Sequence, residues 1–187
     1  MEEDTIYSIL KYVLKSKHSQ FLGVFTLKQF KSLKIKNKKC ALILFIDTIN
    51  SKKGHWVTII KINKILYFMD SYGLSPNSYM KKIRNQYVDI KYYFLYRLQT
   101  NFSTICGVYA IFFVHLIIAC EFNLAPFANA IIDTFNKFKF KENDRKMKKY
   151  IFKAYPFFDR KQCKNLFCNS NFTINFKKCY ESLCHQN

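Results

Sequence analysis

Four residue types that together can make a nucleophilic site occur in the order His55, Asp70, Gln99 and Cys106. A thiol attacks well only as a thiolate, so it needs an imidazole to take its proton. A carboxylate beside that imidazole fixes its tautomer and stabilises the imidazolium, and an amide N–H can stabilise a developing oxyanion. The ordered set therefore predicts cysteine-based catalysis, with one role for each residue.

Cys106 stands where a long apolar run begins, shortly after Ser103 and Thr104, which can cap a helix. A thiol at a helix N-terminus has a lowered pKa because it lies at the positive end of the helix dipole. Its backbone N–H is expected to be free for an oxyanion, and Gly107 to leave open space for a substrate backbone. The alternative is a small buried cysteine, which is common in apolar helices.

Each of the other three residues also has an interpretation without catalysis. His55 can be a surface or capping histidine, and Asp70 a turn aspartate. Gln99 can be an exposed loop residue, which is the usual place of a glutamine. The case for a site rests on all four residues standing at the ends of predicted elements.

The elements that must position these residues follow from apolar patterns and turn residues. Strands are predicted over 40–46, 55–62, 64–70 and about 88–96, and helices over 5–17, about 78–86, 105–122, about 124–136 and about 143–153. Asn63 predicts a tight turn, so the hairpin brings His55 beside Asp70. Residues 28–39 are predicted to form an exposed basic loop. The fold class is α+β, a small sheet packed on helices with a buried central helix that begins near Cys106, in one domain over residues 1–187.

Several collinear segments carry a family resemblance. They are Phe21-Leu22-Gly23, Cys40-Ala41-Leu42-Ile43, Gly54-His55-Trp56, residues 68–73 (FMDSYG), Gln99 and residues 103–113 (STICGVYAIFF). On these segments, which run from about residue 20 to about residue 120, the chain resembles the adenovirus endopeptidase (adenain) family of cysteine proteases, whose clan also contains the SUMO-specific proteases. Residues 123–187 are basic and rich in aromatic side chains, and they match no motif of the family.

The resemblance implies a cysteine endopeptidase with its nucleophile on a central helix packed against a mixed sheet. By matching position, Cys106 would be the nucleophile, and His55 its base and then the acid for the leaving amine. Asp70 would orient His55, and the Gln99 side chain would form the oxyanion hole with the Cys106 N–H. Adenain-like enzymes cut after small, glycine-containing motifs in viral capsid and core precursors, with viral DNA and a short basic peptide as activators.

The resemblance also extends to the substrate cleft, with two departures nearby. Gly54, Trp56 and Gly107 would border the substrate. Adenain has glutamate where this chain has Asp70, but the SUMO proteases use aspartate, so the chemistry is retained. In adenain a second cysteine, between the acidic residue and the catalytic cysteine, forms a disulfide with the activating peptide. Residues 71–98 of this chain contain no cysteine. An activating peptide stays an open alternative, but its disulfide partner is missing.

Net charge predicts a polyanionic partner independently of these motifs. The chain carries 31 Lys and Arg against 12 Asp and Glu, a formal net charge of +19. Non-specific DNA is the expected partner and a possible activator, because phosphate contacts need no sequence motif. The predicted DNA-binding residues form two patches, namely Lys28, Lys31, Lys34, Lys36, Lys38 and Lys39, and Lys137, Lys139, Lys141, Arg145, Lys146, Lys148 and Lys149. The alternative is solvated lysines that reflect an AT-rich genome.

The seven cysteines are expected to be reduced thiols of an intracellular, non-secreted protein, because no signal peptide is recognised. No membrane partner is expected, since the uncharged residues 105–120 are too few for a spanning helix. No metal or obligatory cofactor is expected either. The one zinc candidate is the C-terminal set Cys163, Cys168, Cys179 and Cys184, although two Cys-x4-Cys pairs are not a common zinc spacing.

Three functions therefore stay open. The first is a monomeric viral or virus-derived cysteine endopeptidase that matures structural precursors on DNA, in the virion and the host nucleus. The second is an isopeptidase for a ubiquitin-like modifier, since both chemistries end at a glycine. The third is a non-catalytic basic DNA-packaging protein, which leaves the ordered His–Asp–Gln–Cys set unexplained.

Overall fold

Five strands and five α-helices make up the part of the chain that the structure, a computed structural model, describes: residues 1–46, 54–75, 89–93, 97–101, 103–119, 121 and 123–155. The strands are β1 (Phe21–Thr26), β2 (Lys39–Ile46), β3 (His55–Ile62), β4 (Ile65–Met69) and β5 (Asp89–Tyr93). The helices are α1 (Glu3–Leu14), α2 (Leu27–Ser32), α3 (Cys106–Ala119), α4 (Leu124–Thr134) and α5 (Phe140–Ala154), with a 3₁₀ helix over Lys15–Gln20. None of these helices is long and apolar enough to cross a membrane.

The strands form one mixed sheet in the order β1-β2-β3-β4-β5. β1 runs parallel to β2 and β4 parallel to β5, whereas β3 is antiparallel to both of its neighbours. Asn63 turns the chain between β3 and β4 with a φ of 56°, a conformation that asparagine tolerates better than most residues. The predicted hairpin and the predicted combination of a mixed sheet with helices are therefore confirmed.

Both faces of the sheet are covered by apolar side chains. Ala41 and Ile43 of β2 join the larger core cluster, which holds α1, α3 and buried residues of α4 and α5. Leu42 and Leu44 point to the other face and join a smaller cluster with Phe30 of α2. Burial on both faces explains why the sequence of β2 is continuously apolar rather than alternating.

Helix α3 is the centre of the larger cluster. Twelve of its 14 residues are buried, and the helix is apolar on every side, as expected for a core helix. A polar link joins it to the sheet, because the Thr58 hydroxyl on β3 donates to the Ala110 carbonyl at 3.1 Å. This link holds the helix that begins at Cys106 against the strand that begins at His55.

One element prediction needs correction. Residues 28–39 are not all loop, since α2 occupies Leu27–Ser32 behind a capping box between Thr26 and Gln29, with Phe30 buried beneath it. Helix α3 begins at Cys106 as expected, and the Ile105 carbonyl accepts its first helical hydrogen bonds. The predicted strand over 88–96 is described only as β5, and the predicted helix over 78–86 lies outside the described residues.

Candidate active site

His55 and Asp70 form a buried pair at the end of the β3–β4 hairpin. The last registered pair of the hairpin is Thr58 with Met69, so Asp70 leaves the sheet one residue later. Its Oδ1 atom lies 2.7 Å from His55 Nε2, and the two residues are only 2 and 7% exposed. The same Oδ1 accepts the Tyr72 N–H at 2.7 Å. Asp70 is therefore both the turn aspartate and the partner of His55, while the surface interpretation of His55 is excluded.

Cys106 lies beside the same imidazole. His55 Nδ1 is buried and makes no hydrogen bond of ordinary geometry within the described ranges, yet the thiol is near enough for the two groups to shift each other's pKa. Burial alone lowers the pKa of His55, but the hydrogen bond to Asp70 and the neighbouring thiol raise it to about 9. Nε2 thus faces the carboxylate, which leaves Nδ1 for the sulfur.

The thiol of Cys106 is acidic despite its burial. Burial raises its pKa, whereas His55 and the backbone N–H groups of Trp56 and Gly107 lower it, and the net pKa is below the usual thiol value. Cys40 shows the contrasting case, because burial raises the pKa of this buried thiol to about 11. The arrangement favours a thiolate on Cys106 paired with an imidazolium on His55 more than an ordinary thiol would, which is the charge state of an activated nucleophile.

Tyr72 joins the His–Asp pair to the loop before α3. Its ring packs on His55 at 4.7 Å between centroids, and its hydroxyl donates to the Ser103 carbonyl at 2.8 Å. Burial and the nearby charge of Cys106 raise the pKa of Tyr72 to about 12, so the hydroxyl keeps its proton. No role is predicted for Tyr72 from the sequence, although it stands in the segment of residues 68–73 that carries the resemblance.

Gln99 is fully buried, which excludes an exposed loop residue. Its Oε1 accepts from the Ser71 hydroxyl at 2.6 Å, and its Nε2 donates to the Ser103 carbonyl at 2.8 Å. A second, longer contact of 3.3 Å joins Nε2 to the Tyr72 hydroxyl. The structure thus places Gln99 among residues next to the site, with its amide hydrogens engaged inside the protein. An oxyanion would have to replace the longer of these two hydrogen bonds.

The predicted substrate-binding residues have packing partners of their own. Gly54 lies under the Phe45 ring, and a Cβ there would come within 1.7 Å of the ring. The space beside Gly107, expected to be open, is filled: a Cβ there would lie 3.2 Å from the Met1 sulfur and 3.3 Å from Trp56 Cδ1. The Trp56 indole N–H also donates to the Met1 carbonyl at 3.2 Å. Residue 1 therefore covers the side of Cys106 that was predicted to admit substrate.

Other groups that could do chemistry lie away from Cys106 or outside the described residues. His115, inside α3, bonds through Nδ1 to the Tyr150 hydroxyl at 2.7 Å, and burial lowers its pKa to about 4, so it is a neutral, half-buried histidine. No group of three or more possible metal ligands occurs among the described residues. The zinc candidate, Cys163, Cys168, Cys179 and Cys184, lies outside them.

The two basic patches differ in exposure. In the first patch all the lysines are exposed except Lys31, which is half-buried. In the second, Lys137, Lys139, Lys141 and Arg145 are exposed, and Lys146, Lys148 and Lys149 are half-buried. Glu142 lies within 3.6–3.7 Å of the Lys146 and Lys139 ammonium groups and offsets part of the second patch's charge. Both patches are accessible enough to meet a polyanion.

Models of known protein families give no match to the chain, and curated protein sequences give none either.

Proposed function

We propose that this chain is a cysteine endopeptidase of the adenain kind, in which Cys106, His55 and Asp70 are the catalytic residues. One observation carries the proposal: a thiol with a lowered pKa at the first residue of a helix lies beside a histidine whose other nitrogen is bound to a buried carboxylate. A structural cysteine has no need of this arrangement, as the raised pKa of Cys40 illustrates. The arrangement matches the nucleophile–base–orienter logic of covalent catalysis.

The proposed reaction proceeds in two balanced steps. The Cys106 thiolate attacks the scissile carbonyl carbon, a C–S bond forms, and the π electrons move to the carbonyl oxygen. When the tetrahedral intermediate collapses, the C–N bond breaks and the leaving amine takes the proton from His55 Nδ1. His55 then removes a proton from water, which attacks the thioester, releases the carboxylic acid product and restores the thiolate with its imidazolium.

Two groups are proposed to stabilise the oxyanion in these steps. One is the backbone N–H of Cys106, which lies at the N-terminus of α3. The other is the Gln99 amide, once the oxyanion replaces its 3.3 Å contact with the Tyr72 hydroxyl. Removing one such donor typically lowers kcat by about 10²–10³-fold. Trp56 and Gly107 border the substrate in this proposal, which requires Met1 to leave the space that it fills.

The substrate class and partners follow from the resemblance and the charge. We assign as substrates viral capsid and core precursors with glycine-containing cleavage motifs, processed in the virion and the host nucleus. Non-specific DNA is the proposed activator because exposed basic residues occur in both patches. The stimulation by DNA should fade as salt rises, since counterion release drives phosphate binding.

The decisive experiment is alkylation of Cys106 by iodoacetamide between pH 5 and pH 9, followed by mass spectrometry at each cysteine. We expect rapid alkylation well below the ordinary thiol pKa of about 8.5, and its loss in His55→Ala. Cys40 is the internal control, because its raised pKa predicts slow reaction over the same range. Slow alkylation of Cys106 that follows an ordinary thiol titration, with and without DNA, would refute the protease and favour the packaging protein.

Turnover is tested with the matched variants Cys106→Ala and Cys40→Ala. Cys106→Ala should abolish cleavage of glycine-motif peptides while the circular dichroism spectrum is unchanged, and Cys40→Ala should retain cleavage. A Cys106→Ala protein that cleaves at the wild-type rate contradicts the assignment of the nucleophile. Ubiquitin-like conjugates assayed beside the peptides separate an endopeptidase from an isopeptidase.

A further inference from the structure

Asp144 of α5 is a buried carboxylate that the proposed mechanism does not use. It is 6% exposed, and no Lys or Arg forms an ion pair with it among the residues that the structure describes. Burial raises its pKa, while hydrogen bonds from Thr100, Tyr109 and Ser103 lower it in part. Burying a carboxylate without a cation is costly, so the stability of Asp144 in this position depends on its hydrogen bonds.

The hydrogen bonds of Asp144 connect two segments that carry the proposed oxyanion donors. Its Oδ2 accepts from the Thr100 hydroxyl at 2.7 Å and from the Thr100 N–H at 3.3 Å, directly after Gln99 in the chain. Its Oδ1 accepts from the Tyr109 hydroxyl at 3.0 Å, and Tyr109 lies three residues after Cys106 on α3. The Asp144 side chain thus bonds at the same time to the loop of residues 97–101 (the Gln99 loop) and to the first turn of α3.

The neighbouring Asn143 reinforces the same connection. This residue is fully buried, and its Nδ2 donates to the Leu98 carbonyl at 3.1 Å and the Asn136 carbonyl at 2.7 Å. Its Oδ1 accepts the Asn136 N–H at 3.0 Å. Asn143 therefore links Leu98, just before Gln99, to α5 and to the turn between α4 and α5. Helix α5 thus supports this loop from inside the protein.

We propose that Asp144 is a positioning residue that sets the distance between the Gln99 amide and the Cys106 N–H, and thereby shapes the oxyanion hole. This inference rests on the proposed function. It concerns the hole and not the Cys106–His55 pair, because none of the hydrogen bonds described for Asp144 involves His55 or Asp70. Turnover and thiol reactivity should therefore respond differently to its loss.

The test compares peptide cleavage with Cys106 alkylation in Asp144→Asn, Thr100→Val and Thr100→Ser. Alkylation by iodoacetamide forms no oxyanion, so its rate at Cys106 should stay at the wild-type value. In Asp144→Asn, kcat should fall by about 10²-fold, the loss typical of catalytic groups displaced by about 1 Å. Thr100→Val should lose less, since the backbone N–H remains, and Thr100→Ser should recover most of the wild-type kcat because it restores the hydroxyl.

Tyr150→Phe is the matched control on the same helix, because the hydroxyl that it removes is bonded to His115 of α3. It should keep the wild-type kcat even if it lowers the melting temperature. An equal fall of kcat in Tyr150→Phe, or a parallel fall of alkylation and kcat in Thr100→Val, would overturn the inference. Thr100→Val decides the outcome if Asp144→Asn does not fold. A wild-type protein that neither cleaves nor alkylates rapidly would instead refute the proposed function itself.

Discussion

Replacing Asp70 by asparagine separates the two roles that one carboxylate oxygen has in the structure. Oδ1 accepts both from His55 Nε2 and from the Tyr72 N–H, each at 2.7 Å. An asparagine keeps an oxygen for the turn and nearly the same volume, but it removes the negative charge that stabilises the imidazolium. Asp70→Asn therefore tests the catalytic role of the charge while the turn is conserved.

The size of the effect follows from the hydrogen bond that loses its charge. A hydrogen bond to a charged group contributes about 1.5–3 kcal/mol, which corresponds to about one to two pKa units. The pKa of His55, about 9 in the wild type, should fall by that amount, and the pKa of Cys106 should rise because its cationic partner is weakened. If the same amount, about 1.5–3 kcal/mol, is lost from the stabilisation of the transition state, kcat/KM should fall by roughly 10- to 150-fold.

The assay is the pH profile of Cys106 alkylation beside that of peptide cleavage. In the wild type, the lowered pKa of Cys106 should make its alkylation faster than that of an ordinary thiol at the same pH. In Asp70→Asn, the profile should move to higher pH, and cleavage at pH 7 should fall with it. If the variant has a lower melting temperature but an unchanged alkylation profile and kcat/KM, Asp70 is only a turn residue and the catalytic argument is wrong.

Three further predictions test the packing, the cleft and the charge. Gly54→Ala forces a methyl group into the Phe45 ring, so we expect urea unfolding to show a loss of about 1–3 kcal/mol; an unchanged midpoint would contradict this packing. Replacing Met1 by Gly, in a protein released from a cleavable tag, should lower KM several-fold for peptides, whereas an unchanged KM would mean that residue 1 does not compete with substrate. Lys141→Glu combined with Arg145→Glu should weaken DNA binding and flatten its salt dependence; an unchanged slope would remove α5 from the DNA-binding surface.

The parts of the fold that sequence predicts are those with strong local patterns. The β3–β4 hairpin has two apolar runs on either side of Asn63, so its turn and its strand boundaries follow from neighbouring residues. Helix α3 follows from an uninterrupted apolar run. Because hairpin geometry brings the ends of its strands together, the contact of His55 with Asp70 was also predictable before any tertiary structure was known.

Two kinds of feature were not predicted from the sequence. Some depend on contacts between residues far apart in the chain, and one is a short helix within a lysine-rich segment. Asp144 accepts a hydrogen bond from Thr100, which lies 44 positions earlier in the chain. The residues next to Asp144 in the sequence are mostly charged, and this pattern indicates only a charged surface. The position of Met1 over Gly107 likewise has no local pattern behind it. Helix α2 is a different case, because its Thr26–Gln29 capping box is a local signal that stands beside a run of lysines typical of an exposed loop.

The position of α3 within the chain also determines when Cys106 gains its complete surroundings during synthesis. The residues of α5 that bond the Gln99 loop are made after Cys106, and α5 ends at Ala154. At ordinary elongation rates the roughly 50 intervening residues take about 2–10 s. During that interval the nascent chain carries a wholly apolar helix without its final cover, so it needs protection from aggregation. Cys106 is thus made before its surroundings are complete, so under the proposed function proteolytic competence would follow synthesis only after a delay.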